Sequence, residues 1–173
     1  MVTIAEPREV EAALVRAAQS GDRAAFGILY QQYERLVHGI LISQVCYQEA
    51  EDLMQEVFLK ALERLASLRD PCAFCSWLIV IARRTATDYQ RNKKPNVEIC
   101  EEIGGRTQPD TQALSIMSSI RSLPECYRET LMLRLVEGMT GPEISNQTGL
   151  APDSVRVNLC RGMKLLRAAL EGR

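Results

Sequence analysis

The chain has 173 residues, 46% of them apolar and 5% aromatic, enough for one core of moderate size or two small ones. Its 21 basic and 22 acidic side chains leave a net charge of −1, which excludes the uniformly basic polyelectrolyte that holds nucleic acid by charge alone. No apolar run reaches membrane-spanning length, and Glu6, Arg8 and Glu9 stand where a secretory signal would put its hydrophobic segment, so a cytoplasmic chain without direct membrane insertion is expected.

β-branched runs are few and segments of period 3.6 dominate, which predicts an all-α fold. Val10, Ala13, Leu14 and Ala17 form a first amphipathic helix that stops at Ser20-Gly21, with Asp22 placed to cap the next. The second helix spans Arg23 to Ile42 and lines Phe26, Leu29, Tyr30, Tyr33, Val37, Ile40 and Leu41 along one side. A third carries the stripe Ala50, Leu53, Met54, Val57, Phe58, Ala61, Leu62 and Leu65, opposite Asp52, Gln55, Glu56, Lys60 and Glu63. Arg69-Asp70-Pro71 breaks it, and a fourth helix resumes from Phe74 to about Gln90 through Trp77, Leu78, Ile81 and Ala82.

Residues 95–112 contain two prolines, Gly104-Gly105 and little periodic apolar content, so they read as a flexible linker of at most roughly 60 Å fully extended. Charge divides at the same place. Arg83, Arg84, Arg91, Lys93 and Lys94 precede it, whereas Glu98, Glu101, Glu102 and Asp110 lie within it. The expected organisation is therefore one helical body over 8–94 and a second over 113–171, able to dock far apart on a large partner.

The second body opens with Leu114, Met117, Ile120 and Leu123, after which Pro124 starts a helix through Tyr127, Leu131 and Leu135 to a Gly138 cap. Thr140 and Glu143 then sit at capping-box spacing, Gly149 supplies a left-handed turn residue, and Pro152 fits the first position of a final helix. On that helix Val155, Leu159, Met163 and Leu166 form the buried stripe, leaving Arg156, Asn158, Arg161 and Lys164 free to enter a major groove. This is a helix-turn-helix.

Six cysteines, at 46, 72, 75, 100, 126 and 160, are scattered and default to thiols in a reducing compartment. Cys72-Ala73-Phe74-Cys75 invites a redox or zinc reading, but there is no second pair and His38 is the only histidine, so neither metal nor cofactor is expected. A thiol enzyme built on that pair would want a βαβ setting, which the pattern lacks.

Three stretches resemble one family, the bacterial sigma factors of the extracytoplasmic function class, within the sigma-70 family. Ala50 to Phe58 is similar to the family's polymerase-binding helix, Phe74 to Arg91 to its promoter-melting helix, and Leu123 to Arg167 to the domain that reads the −35 element. Arg84, Ala151 and Asn158 depart from the family pattern, which bears on the promoter sequence recognised. The resemblance implies a transcription initiation factor, not an enzyme, that joins core RNA polymerase and directs it to promoters through −35 and −10 elements. It implies that Asp52, Leu53, Gln55 and Glu56 meet the clamp of the polymerase's largest subunit. Arg69, Phe74, Trp77, Arg83, Arg84 and Arg91 would hold single-stranded −10 DNA, cations following phosphates and planar groups receiving an extruded base. Trp77 has a competing reading as core.

Arg156, Asn158 and Arg161 would read bases of the −35 duplex, while Lys164 and Arg167 would meet phosphate. An anti-sigma partner is implied as well. The competing reading, a stand-alone helix-turn-helix regulator, predicts tight duplex binding without polymerase.

Overall fold

The computed structural model describes residues 7–92 and 111–171, with side chains from 9 to 92 and 116 to 171. Within them every regular element is helical: α1 (Pro7–Gln19), α2 (Arg23–Ile42), α3 (Tyr47–Arg64), α4 (Phe74–Asn92), α5 (Thr111–Arg121), α6 (Glu125–Leu135), α7 (Gly141–Thr148) and α8 (Pro152–Glu171), with short 3₁₀ turns at Leu65–Ser67 and Pro71–Ala73. Residues 95–110 of the expected linker lie outside the described residues. Its last two positions, Thr111 and Gln112, are instead the start of α5.

Local chemistry accounts for the helix limits in the first half. The Asp22 carboxylate accepts from the amides of Ala24 and Ala25 at 2.9 and 3.2 Å, satisfying donors the first turn leaves without partners. Glu49 reaches back to the Cys46 amide at 3.3 Å and starts α3 three residues before the expected Ala50. Asp70 accepts from the Cys72 amide and Pro71 follows it, a helix-opening pair that leads into α4. Gln19 donates to the carbonyls of Leu65 and Leu68, at 3.0 and 2.8 Å, and ties the end of α1 to the end of α3.

The apolar stripes of α1 to α4 meet over Leu29, Leu36, Ile40, Leu41, Phe74 and Leu78, all fully buried. Each large side chain so buried contributes about 1.5–3 kcal/mol of transfer free energy. Polar groups on the partly covered sides also find partners, as when Tyr89 donates to Glu49 at 2.8 Å and Lys60 to Thr85 at 3.3 Å. Leu62, expected on the buried stripe of α3, is exposed together with Leu59. Among the described residues α3 packs mainly against α2, α4 and the turn that follows it, and its apolar set is wider than the face they cover.

In the second half α6 packs on α8, where Gly162 lets the helices approach. A Cβ there would lie 3.0 Å from Cδ1 of Leu131. The α6 helix ends near Val136, and Gly138, with φ +65°, turns the chain so that the Met139 amide donates to the Leu133 carbonyl at 2.9 Å. Gly138 thus works two residues beyond the cap it was expected to form.

The two halves are not held apart. α6 also lies against α2, with Gly39 providing the space for Leu133, and the buried apolar residues of both halves form one contiguous cluster. Leu131 faces α8 and Leu133 faces α2, so α6 is buried on two sides.

Candidate nucleic-acid interface

The turn that presents α8 is built from short-range hydrogen bonds. Thr140 caps α7 by accepting from the Glu143 amide at 3.4 Å, and Glu143 returns the contact, accepting from the Thr140 amide at 2.6 Å and its hydroxyl at 2.7 Å. That backbone amide, then the hydroxyl, then the nearby Arg35 and Arg134 hold the Glu143 carboxyl below the ordinary carboxylate range. Gly149 closes α7 in the left-handed conformation at φ +74°, and Ser145 donates to the Leu150 carbonyl across the turn at 2.7 Å. Pro152 then begins α8, whose Val155 amide donates to Ala151 at 3.0 Å.

Val155, Gly162 and Leu166 are the buried residues of α8, with Leu159 and Met163 partly buried beside them. The helix therefore turns one side inward and leaves Arg156, Arg161, Lys164 and Arg167 exposed. Asn158 is half-buried at the edge of that set. Arg156 pairs with Asp153 at 3.5 Å with both side chains more than four-fifths exposed, a pair too solvated to immobilise either group. Four cations on the outward side of α8 suit phosphate and base edges of a major groove.

Around α4 the expected residues divide. Arg69, Arg84 and Arg91 are exposed. Trp77 is half-buried, its ring 6.0 Å from that of Phe74. Phe74 is 0% exposed and lies 5.6 Å from Tyr33, so in this arrangement it is core rather than a platform for a base. Arg83 is engaged: Nη2 and Nε donate to the two carboxylate oxygens of Glu129 at 2.8 and 3.2 Å.

On α3, Asp52, Gln55 and Glu56 are exposed, with Glu56 paired to Lys60 at 2.6 Å. Leu53 is 4% exposed and belongs to the core, which removes it as a surface anchor. Leu59 is a large apolar side chain that does reach the surface, 61% exposed. At about 100° per residue, Asp52, Gln55, Glu56, Leu59 and Glu63 share one side of the helix.

Cys75 is partly buried and its thiol donates to the Gln147 carbonyl at 2.7 Å. Burial, then the Glu11 carboxylate, push this thiol up to about 12, despite a hydrogen bond from Tyr33 that acts the other way. A thiol held so far from ionisation is a poor nucleophile and metal ligand, unlike the reactive cysteines of redox pairs. Among the described residues no group of three or more His, Cys, Asp or Glu side chains is arranged to hold a metal ion.

The described residues thus form an all-helical fold that ends in a helix-turn-helix with a cationic outer side. Residues 29–95 match Sigma-70 region 2, and residues 113–166 match Sigma-70, region 4. The ECF RNA polymerase sigma-E factor of Escherichia coli K12 is 30% identical over 172 residues, covering 88% of this chain and 90% of that protein. That of Haemophilus influenzae is 29% identical over 178 residues, covering 92% and 94%. The solved structure of CnrH in complex with the cytosolic domain of CnrY shares the fold at a TM-score of 0.63 and 23% identity, over 94% of this chain and 97% of that one.

The chain belongs to the extracytoplasmic function sigma factors of the sigma-70 family. It is a promoter-specificity factor that works with core RNA polymerase on promoter DNA, and the stand-alone regulator reading falls. No described helix is long and apolar enough to cross a membrane.

Proposed function

We propose a residue-level division of labour within that role. Residues 8–94 form the polymerase-binding and strand-opening half, 95–112 the connection and 113–171 the half that reads the −35 duplex. The observation that carries the assignment of α8 is its row of exposed Arg156, Arg161, Lys164 and Arg167 opposite a packed apolar side. Arg156 and Arg161 donate to base edges, Asn158 supports them from the edge of the row, and Lys164 and Arg167 meet phosphate.

In the first half, Arg69, Arg84 and Arg91, with Arg83 once it is released, follow the displaced −10 strand, and the open side of Trp77 receives a base. Unstacking a base costs a few kcal/mol, so a site that binds only the extruded base shifts the duplex toward the open state. The chain supplies no reaction of its own, because the chemistry of RNA synthesis belongs to the polymerase.

The clamp of the polymerase's largest subunit meets Asp52, Gln55 and Glu56, with Leu59 as the apolar centre that water leaves on docking. Glu56→Lys is expected to weaken core binding at least tenfold while leaving the unfolding transition within about 0.5 kcal/mol of wild type, as is usual for an exposed position. Pull-down with purified core and a denaturant titration check this, and undiminished core binding would refute the assignment of this face. CnrH was solved in complex with the cytosolic domain of CnrY, which supports a protein partner of the anti-sigma kind for this chain, acting in the cytoplasm.

A further inference from the structure

Side chains of α8 can be placed by their angle from Val155, which is 1% exposed and marks the inward side. At about 100° per residue, Asn158 lies only about 60° from it, in keeping with its half-buried state. Arg156 and Arg161, both exposed, lie about 100° and 120° away on opposite flanks. The middle of the outward side, about 140–180° away, includes Val157, Cys160 and Lys164. All three are exposed, Val157 by 38%.

A single exposed apolar side chain is ordinary on a protein surface, and Leu165 and Leu170 of the same helix are partly exposed too. Position separates Val157 from them. It stands in the second turn of α8, toward the end from which a recognition helix touches bases, whereas Leu165 and Leu170 lie about 12 and 20 Å further along at ~1.5 Å per residue. Helix formation favours alanine or a straight-chain residue on an outward face, because a β-branched side chain loses rotamer freedom there. The fold itself therefore does not favour valine at this position.

Its chemistry is that of a reader without hydrogen bonds. Arg156 and Arg161 donate, and so take acceptors such as those of guanine. An isopropyl group between them donates and accepts nothing. The apolar group that a base pair presents in the major groove is the C5 methyl of thymine, which a hydrogen-bonding side chain does not sense. We propose that Val157 is a specificity-determining residue of α8, packing on the C5 methyl of one thymine in the −35 element, with the small Cys160 side chain beside it on the next turn. The inference rests on the assignment of α8 to the −35 duplex proposed above. It gives the middle of the row, which Asn158 does not reach, a reader of its own.

Deoxyuridine differs from thymidine by that methyl alone, so it isolates the contact. The chain is combined with core RNA polymerase on a promoter selected from a randomised library, and each thymine of the −35 element, on either strand, is replaced in turn by deoxyuridine. Equilibrium binding by the wild-type holoenzyme should fall about fourfold at one thymine, the loss expected when burial of one methyl group is forfeited, and change by less than about twofold at the others. Val157→Ala should keep its helical content, since alanine is the best helix former. It should bind the thymine promoter as weakly as wild type binds the deoxyuridine one, and the fourfold step should vanish. A −35 element with no A·T pair, a wild-type holoenzyme indifferent to every deoxyuridine, or a step of equal size in Val157→Ala would each overturn the proposal. A holoenzyme that selects no promoter refutes the assignment of α8 itself, whereas one that holds its promoter without sensing the methyl refutes this contact alone.

Discussion

Phe74→Ala is expected to cost about 3–5 kcal/mol of unfolding free energy. The ring is fully buried at the first turn of α4, with Tyr33 on one side and Trp77 on the other. Truncation removes its contacts with both and leaves a cavity under the helix that carries Arg83, Arg84 and Arg91. A domain of this size is stable by about 5–15 kcal/mol in all, so the variant should unfold at markedly lower denaturant with an unchanged slope. The opposite pattern, wild-type stability with lost affinity for single-stranded DNA, would restore Phe74 as a surface for bases.

Arg156→Ala should lower affinity of the holoenzyme for its promoter by about 1–3 kcal/mol, a loss of roughly fivefold to more than a hundredfold, with relaxed preference at one position of the −35 element. The fold should hardly notice, since the side chain is largely in solvent and its link to Asp153 is long. Binding to a set of promoter variants, each altered at one −35 position, separates the outcomes. An equal loss on every variant would make Arg156 a phosphate contact rather than a reader of sequence.

What was legible in the amino-acid order was what short-range chemistry decides. Asp22 at the start of α2, Thr140 with Glu143, and Gly149 were readable because a cap involves residues two to four apart. The exposed cations of α8 were readable from the spacing of Val155, Leu159, Met163 and Leu166.

Periodicity was less informative on α3. It marks which residues are apolar but not how much of that side neighbours will cover, so Leu62 was assigned to a core it does not enter, whereas Leu53 lies on the buried stripe its spacing predicts and only the resemblance gave it a surface role. Phe74 shows the same limit, since an aromatic at a helix start satisfies a stacking platform and a core plug alike.

The contacts between halves carry no local signal at all. Glu129 and Arg83 are 46 positions apart, and His38 and Glu137 are 99 apart. Gly39 reads as an ordinary interruption of a helix until Leu133 is seen above it. Gly162 likewise acquires its reason only from Leu131 on a neighbouring helix.

The most direct test of the central claim is to mix the purified chain with core RNA polymerase and a randomised promoter library and to sequence the transcripts. The account predicts initiation downstream of one shared pair of upstream motifs, at fixed spacing, only when chain and core are both present. Transcripts starting at random, or tight retention of specific duplexes by the chain without core, would contradict it.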